Sequence, residues 1–348
     1  MSPFLMFTLL FALGLGTTVT FASSHWFLAW MGLEINTIAI LPLMAQLHHP
    51  RAIEATLKYF LTQATAASTL LFATVTNAWL TGQWDIQYMT HLVPSTLFIL
   101  ALALKIGLAP LHIWLPEVIQ GLDYSTGLIL STWQKLAPFA LLVQVVPPKT
   151  PLLIMLGLAS TLIGGWGGLN QTQLRKVLAY SSIAHLGWMV LVLQFTPVLT
   201  LLTLLMYLVM TFSTFLVFKW ISATNINALA SSWTKAPAVT VLMPLVLLSL
   251  GGLPPLSGFM PKWLILQELA KQDLAITATV AALSALLSLY FYLRLCYAMA
   301  LTMFPNSPGG TFPWRFQSCQ VTFPLAISVM CTLILLPLTP TVVTLFFF

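Results

Sequence analysis

Apolar residues run through this chain in stretches of about 20, the length that crosses a bilayer core as a helix. Polar residues gather in the short gaps between them. The pattern predicts eleven spans, roughly 3–21, 26–47, 56–80, 94–121, 124–146, 151–169, 174–195, 197–221, 237–270, 274–304 and 323–346. The fourth and ninth are too long for one straight helix. Each carries prolines at its centre, Pro110 in one and Pro254-Pro255 in the other, so each reads as two half-helices joined by a break. Broken backbone at membrane depth is tolerated only where protein or a water-filled cavity surrounds it. The two breaks lie in separated parts of the chain, each beside a lysine, which is the sequence pointer to an inverted-repeat transporter fold. The expectation is an all-α, polytopic membrane protein of about eleven transmembrane helices with two broken helices, forming one transmembrane domain over residues 1–348.

Composition agrees. Hydrophobic residues make up 59% of the chain and charged residues 6%, against about 25% charged in soluble domains. There is too little polar surface to cover a soluble fold. Residues 1–22 are apolar without a basic flank and read as the first span, not as a cleavable signal. The longest loop, 305–320, holds Pro305, Pro308, Gly309-Gly310 and Pro313.

The net charge of +6 is scattered singly apart from Arg175-Lys176, with no basic cluster interleaved with aromatics, which excludes a nucleic-acid partner. Basic residues instead set orientation. With the N-terminus on the negative side, that side carries Arg51, Lys58, Arg175, Lys176, Lys219, Lys235 and Arg315, and the opposite side Lys149 and Lys271, as the positive-inside rule favours. Cys296, Cys319 and Cys331 lack the two-residue spacing of an iron–sulfur or zinc site and read as ordinary membrane cysteines.

Charges inside the spans change the picture most. Lys105 comes about eleven residues into its span, ~16 Å at 1.5 Å per residue, half of a ~30 Å core. Lys135 is the only charge between Asp123 and Lys149. Lys262 follows Gly251-Gly252-Leu253-Pro254-Pro255-Leu256-Ser257-Gly258-Phe259-Met260-Pro261, where the second half-helix would begin. A charge at bilayer depth costs at least ~2.5 kcal/mol, and snorkelling to an interface is a poor escape from the midplane. Lysine is also the basic side chain that gives up its proton when buried. Three such lysines at helix breaks suggest a path for protons or cations.

Glu34 is the only acidic residue between Met1 and Glu54 and lies ~13 Å into the span that starts at Trp26. Lys105 is its natural counter-ion, either as a structural lock or as a switch between an ion pair and a neutral pair. His185, midway along the seventh span, and His112, just past Pro110 on the second half-helix, fit a relay as well as a hydrogen bond between helices. His48-His49 before Pro50 read as a solvated pair, and Glu117 and Asp123 as interfacial charges. The run Gly164-Gly165-Trp166-Gly167-Gly168 has no preceding strand and no Gly-Lys-Ser/Thr ending, so it reads as close helix packing rather than a phosphate loop.

Four stretches are recognisable: Lys105-Ile106-Gly107-Leu108-Ala109-Pro110-Leu111-His112-Ile113-Trp114-Leu115-Pro116-Glu117, Trp133-Gln134-Lys135-Leu136-Ala137-Pro138, Arg175-Lys176-Val177-Leu178-Ala179-Tyr180-Ser181-Ser182-Ile183-Ala184-His185, and Gly251-Gly252-Leu253-Pro254-Pro255-Leu256-Ser257-Gly258-Phe259. In this order, over essentially the whole chain, they resemble the antiporter-like membrane subunits of respiratory complex I. The resemblance implies a bundle with two inverted five-helix repeats, each containing one broken helix, in an N-terminally shortened mitochondrial form.

It also implies a multi-pass subunit of the mitochondrial inner membrane, part of the proton-translocating NADH:ubiquinone reductase of the respiratory chain. Its partners would be the other membrane-arm subunits, neighbouring antiporter-like ones included, and the lipid bilayer. By the family pattern Glu34, Lys105, Lys135 and Lys262 carry proton transfer, with His112 and His185 in the hydrated axis between them. No cofactor or metal is expected in this chain; NADH, FMN, iron–sulfur clusters and ubiquinone would be bound by other subunits.

Two competing functions remain to be weighed. A stand-alone cation/proton antiporter is expected to hold oxygen-rich carboxylate sites at mid-depth, and Glu34 is the single candidate. A passive scaffold gives no reason for midplane lysines.

Overall fold

The computed structural model describes residues 2–46, 48–89, 91–145, 151–234, 237–300 and 322–347. The 305–320 loop, Cys319, Lys149, Lys235 and Arg315 lie outside them. The described chain is helical, and its only strand-like pairings are two isolated bridges, His25 with Asp85 and Gln173 with Asn225. A helix or pair of helices overlies each predicted span. By length and composition, five candidate spans are long and apolar enough to cross a membrane: 3–22, 26–44, 124–144, 197–221 and 275–300. The others are shorter apolar helices, carry more charge, or are broken.

The chain divides into two compact units, Met1–Ala159 and Ser160–Phe348. The first holds α1 (Pro3–Ala22), α2 (Trp26–Met44), α3 (Pro50–Thr81), α4 (Leu92–Ile106), α5 (Trp114–Gly121), α6 (Tyr124–Ser131) and α7 (Trp133–Gln144). The division falls within α8 (Pro151–Gly167). The second unit continues with α9 (Leu174–Val192), α10 (Pro197–Ile221), α11 (Ile226–Ala230), α12 (Pro237–Gly251), α13 (Phe259–Lys271), α14 (Ala275–Ala300) and α15 (Phe323–Phe347).

Local chemistry explains the boundaries. α3 begins six residues before its predicted span. Pro50 is pre-organised for the first helical position, and the His49 ring accepts a hydrogen bond from the Arg51 amide at 3.3 Å. The His48-His49 pair is therefore half employed as a cap. The predicted fifth span is interrupted at Thr132, whose φ of −111° and ψ of −69° separate α6 from α7. Pro138 within α7 cannot donate to the Gln134 carbonyl, a further weakness in the helix ladder.

Both predicted breaks are present. α4 stops at Gly107, φ 86°, where the amides of Gly107 and Leu108 both bond to the Ala103 carbonyl at 2.9 Å. α12 stops at Gly252, φ 79°, where the amides of Gly252 and Leu253 bond to the Leu248 carbonyl at 3.0 and 3.3 Å. A left-handed residue after the last turn ends a helix this way, and glycine adopts it without a Cβ penalty.

The core of each unit sits between helices, while large apolar side chains such as Phe4, Phe7, Phe11 and Trp79 cover the outside, as expected where lipid is the solvent. Small residues bring helices close. Added Cβ atoms at Gly16 and Gly32 would run into the facing helix of the α1–α2 pair, and one at Gly164 would lie 2.6 Å from the Ala184 nitrogen of α9. The glycine-rich run is thus a packing surface.

Candidate functional site

Within the first unit, α2, α3, α4 and α7 direct polar side chains into one small cavity. Lys105, in the last turn of α4, and Lys135, in the first turn of α7, both line it, together with Asn36, Thr37, Tyr59, Gln63 and Gln134. It offers about 20 Å³ to the centre of a water-sized sphere, enough for a water among polar groups. Both lysines are buried, at 6% and 4% exposure.

Glu34 of α2 faces Lys105, with Oε1 3.9 Å from Nζ. Neither Glu34 Oε1 nor Lys105 Nζ has a hydrogen-bond partner, so this is an ion pair by attraction alone, loose enough for water to intervene. Two unit charges about 4 Å apart attract by roughly 4 kcal/mol at an effective dielectric of 20. That attraction offsets part of the cost of a buried ammonium. The other carboxylate oxygen, Oε2, accepts from the Thr37 hydroxyl at 3.2 Å. Gln63 donates to the Lys105 carbonyl at 3.4 Å and Gln134 to the Asn36 carbonyl at 3.2 Å, tying α3 to α4 and α7 to α2. The Asn36 side-chain oxygen and nitrogen are buried without hydrogen-bond partners. Such groups mark a hydration site.

His112 lies in the turn between the half-helices, not on α5 as its sequence position suggested, with Nδ1 3.3 Å from the Pro110 carbonyl. It does not line the lysine cavity. Glu117 is paired with Lys58 at 2.7 Å, and Lys58 also holds Glu54 at 2.7 Å. Glu117 is thus an interhelical partner rather than a lone interfacial charge.

In the second unit Lys262, in the first turn of α13, reaches back to the end of α12. Its Nζ donates to the Gly251 carbonyl at 2.7 Å and lies 3.5 Å from that of Leu250. The last carbonyls of a helix carry partial negative charge, so a cation is favoured there. Lys262 and His185 line a second cavity that also offers about 20 Å³, beside Thr203 of α10. His185 lies against Tyr207, ring centroids 5.8 Å apart.

The sequence reading missed Asn36, Thr37, Tyr59, Gln63, Gln134 and the Lys58–Glu117 pair. Tyr59 and Gln63 lie one helical turn apart on one face of α3, a spacing that was a usable signal.

A family model for the transmembrane region of NADH:quinone oxidoreductase and Mrp antiporters matches residues 23–288. A model for the C-terminus of NADH dehydrogenase subunit 2 matches 289–343. The chain is 71% identical to NADH-ubiquinone oxidoreductase chain 2 of Tetraodon nigroviridis, over 99% of both chains. The chain belongs to the NADH-ubiquinone oxidoreductase chain 2 family. It is also 65% identical to the Gadus morhua member, over 98% of both chains. Among solved structures it superposes on a chain of respiratory complex I from Thermus thermophilus with a TM-score of 0.87 and 28% identity, covering 99% of this chain and 80% of that one. A chain of the Mrp complex of a Dietzia species shares the fold, with a TM-score of 0.81 at 18% identity, 97% of this chain and 76% of that one. The resemblance seen in the four sequence stretches is borne out.

Proposed function

We propose that this chain is a proton-translocating membrane-arm subunit of respiratory complex I in the mitochondrial inner membrane. It couples NADH oxidation and ubiquinone reduction to proton pumping. The observation that carries the reading is the pair of buried lysines, Lys105 and Lys135, lining one polar cavity beside Glu34. The proposed topology has eleven crossings, and the two units act as a single antiporter-like domain over 1–348. Neighbouring antiporter-like subunits would pack beside it in the arm.

In this scheme Glu34 and Lys105 form the switch. When Glu34 moves away, Lys105 loses its counter-ion and releases its proton more readily toward Lys135. Protonating one lysine in a shared cavity disfavours protonating the other by like-charge repulsion. Lys262 is the terminal exchange group, and His112 and His185 serve as relays. Among the described residues no group of three or more His, Cys, Asp or Glu could hold a metal ion. The redox cofactors of the complex would sit in its other subunits, and the role proposed for this chain's own residues is to hold and move protons.

The test is Lys135→Ala in the assembled complex. Removing a midplane charge relieves a cost of at least ~2.5 kcal/mol rather than adding one, so the amount of complex should hold. Proton pumping and coupled NADH oxidation should fall. Normal pumping with the alanine in place would remove Lys135 from the path. A stand-alone antiporter is the competing reading, and it requires the chain to purify alone rather than within an NADH-oxidising assembly.

A further inference from the structure

Acidic residues are spread unevenly along the chain. None lies between Asp123 and Glu268, and none follows Asp273. The first unit, Met1–Ala159, has five basic and five acidic residues, and the second has eight and two, which is the whole net charge of +6. On the side that the basic residues make negative, the first unit sets Arg51 and Lys58 against Glu54, Glu117 and Asp123. On the same side the second unit carries Arg175, Lys176, Lys219, Lys235, Arg294 and Arg315 and no acidic side chain. Its two acids, Glu268 and Asp273, lie with Lys271 on the opposite side. Counter-ions for six cations are therefore missing from this face.

Arg294 sits inside a span. It comes six residues before the end of α14 at Ala300, ~9 Å at 1.5 Å per residue, and is half-buried. Its Nη1 donates to the Leu169 carbonyl at 2.7 Å, just past the end of α8. That bond uses one of the five donors of a guanidinium. All seven carboxylate side chains of the chain are among the described residues, and none pairs with Arg294.

The surroundings suit a headgroup. α8 packs closely on α14: a Cβ on Gly165 would lie 3.0 Å from that of Leu287, and one on Gly168 2.8 Å from the Phe291 ring. Trp166, between these glycines, is 74% exposed, and its carbonyl accepts from the Leu169 amide at 3.1 Å. Tyr290 and Tyr297, four residues before and three after Arg294, are 61% and 59% exposed and share its helix face. Exposed Trp and Tyr sit at headgroup level in a bilayer. The planar fork of an arginine fits a phosphate with two parallel hydrogen bonds, and basic pockets between membrane helices on this side hold anionic headgroups.

We propose that the negative-side end of the α8–α14 seam is a binding site for an anionic phospholipid, with the lipid phosphate on Arg294 and the glycerol region against Tyr290, Tyr297 and Trp166. The site rests on the orientation that the basic residues favour and is independent of the translocation reading.

The experiment uses the assembled complex in phosphatidylcholine vesicles. Two probes are compared at trace level, phosphatidylglycerol and phosphatidylcholine, each with a photoreactive diazirine at the same acyl carbon near the glycerol. After irradiation, label is counted on the peptides that hold Trp166 and Tyr290 to Tyr297. Phosphatidylglycerol should label them about fivefold more than phosphatidylcholine, since one basic residue near an anionic surface is worth ~1 kcal/mol and ~1.4 kcal/mol is tenfold. Arg294→Gln keeps a donor for the Leu169 carbonyl but loses the charge, and the ratio should fall to about one. Arg294→Lys, a point charge without the fork, should keep an excess smaller than that of arginine, which a purely structural tie between α8 and α14 gives no reason to expect. Equal labelling by the two lipids in the unsubstituted complex overturns the site, as does an excess that survives Arg294→Gln. Absence of label from both lipids overturns it in favour of a neighbouring subunit seated on the seam. Loss of the excess on adding millimolar inorganic phosphate overturns it in favour of a free anion. The lipid comparison on the unsubstituted complex and on Arg294→Lys decides the matter even where Arg294→Gln does not assemble.

Discussion

At the first break the lysine sits on the half-helix that ends there, and its counter-charge is a carboxylate on another helix. At the second it sits on the half-helix that begins there, and its partners are the carbonyls of the helix just ended. Lys105 has Glu34 at 3.9 Å with no hydrogen bond. Lys262 has the Gly251 carbonyl at 2.7 Å. The first arrangement has two ionisable partners and slack between them, so its charge state has two ways to change. The second fixes one ammonium on a permanent dipole. These differences are why the proposed scheme assigns the switch to the first break and the terminal exchange site to the second.

That comparison is open to attack at the glycines. Gly252→Val should have the largest effect on stability. A left-handed residue with a Cβ costs ~1–2 kcal/mol, a β-branched residue more, and the new atom would lie 2.8–3.1 Å from the Lys262 Cδ, Nζ and Cε. Complex abundance and turnover per complex should both fall. Gly107→Val carries the same backbone strain, but its Cβ meets Leu115 at 2.8 Å and no lysine. Abundance should fall with turnover per complex largely kept. Native-gel quantification beside NADH oxidation separates the two, and equal loss of turnover would blur the distinction.

A smaller effect is expected from Lys262→Glu. A carboxylate against the carbonyl end of α12 reverses a favourable interaction worth ~0.3–1 kcal/mol, up to ~2 when partly buried. The thermal midpoint of the assembled complex should drop. Lys262→Met, which removes the charge without reversing it, should drop it less. A glutamate as stable as lysine there would mean that the carbonyl end does not govern this site.

The sequence made the breaks legible because proline and glycine act locally, and made Glu34, Lys105 and Lys135 legible because a charge stands out against an apolar run. The neutral lining of the cavity was not legible. Asn36, Gln63 and Gln134 differ little from their surroundings over a 20-residue window, and only packing decides that they face one point. His112 was assigned to a helix because it follows Pro110; the turn extends to Ile113, and Trp114 is the first helical residue. Glu117 read as an edge charge because its partner, Lys58, lies far away in sequence and meets it only through the packing of α3 on α5.

The central claim is that Glu34 and Lys105 act as one unit on one proton step. Its most direct test is turnover per assembled complex in Glu34→Gln, Lys105→Met and the double variant. Truncating one partner of a buried pair typically costs ~3–5 kcal/mol. Here Glu34 keeps a quarter of its side chain accessible, so each single change should lower turnover more than it lowers abundance. Residues sharing one step give non-additive losses, and the double variant is therefore expected to be little worse than either single one. Fully additive losses would mean that the two residues work independently, and the switch at the first break would have to be abandoned.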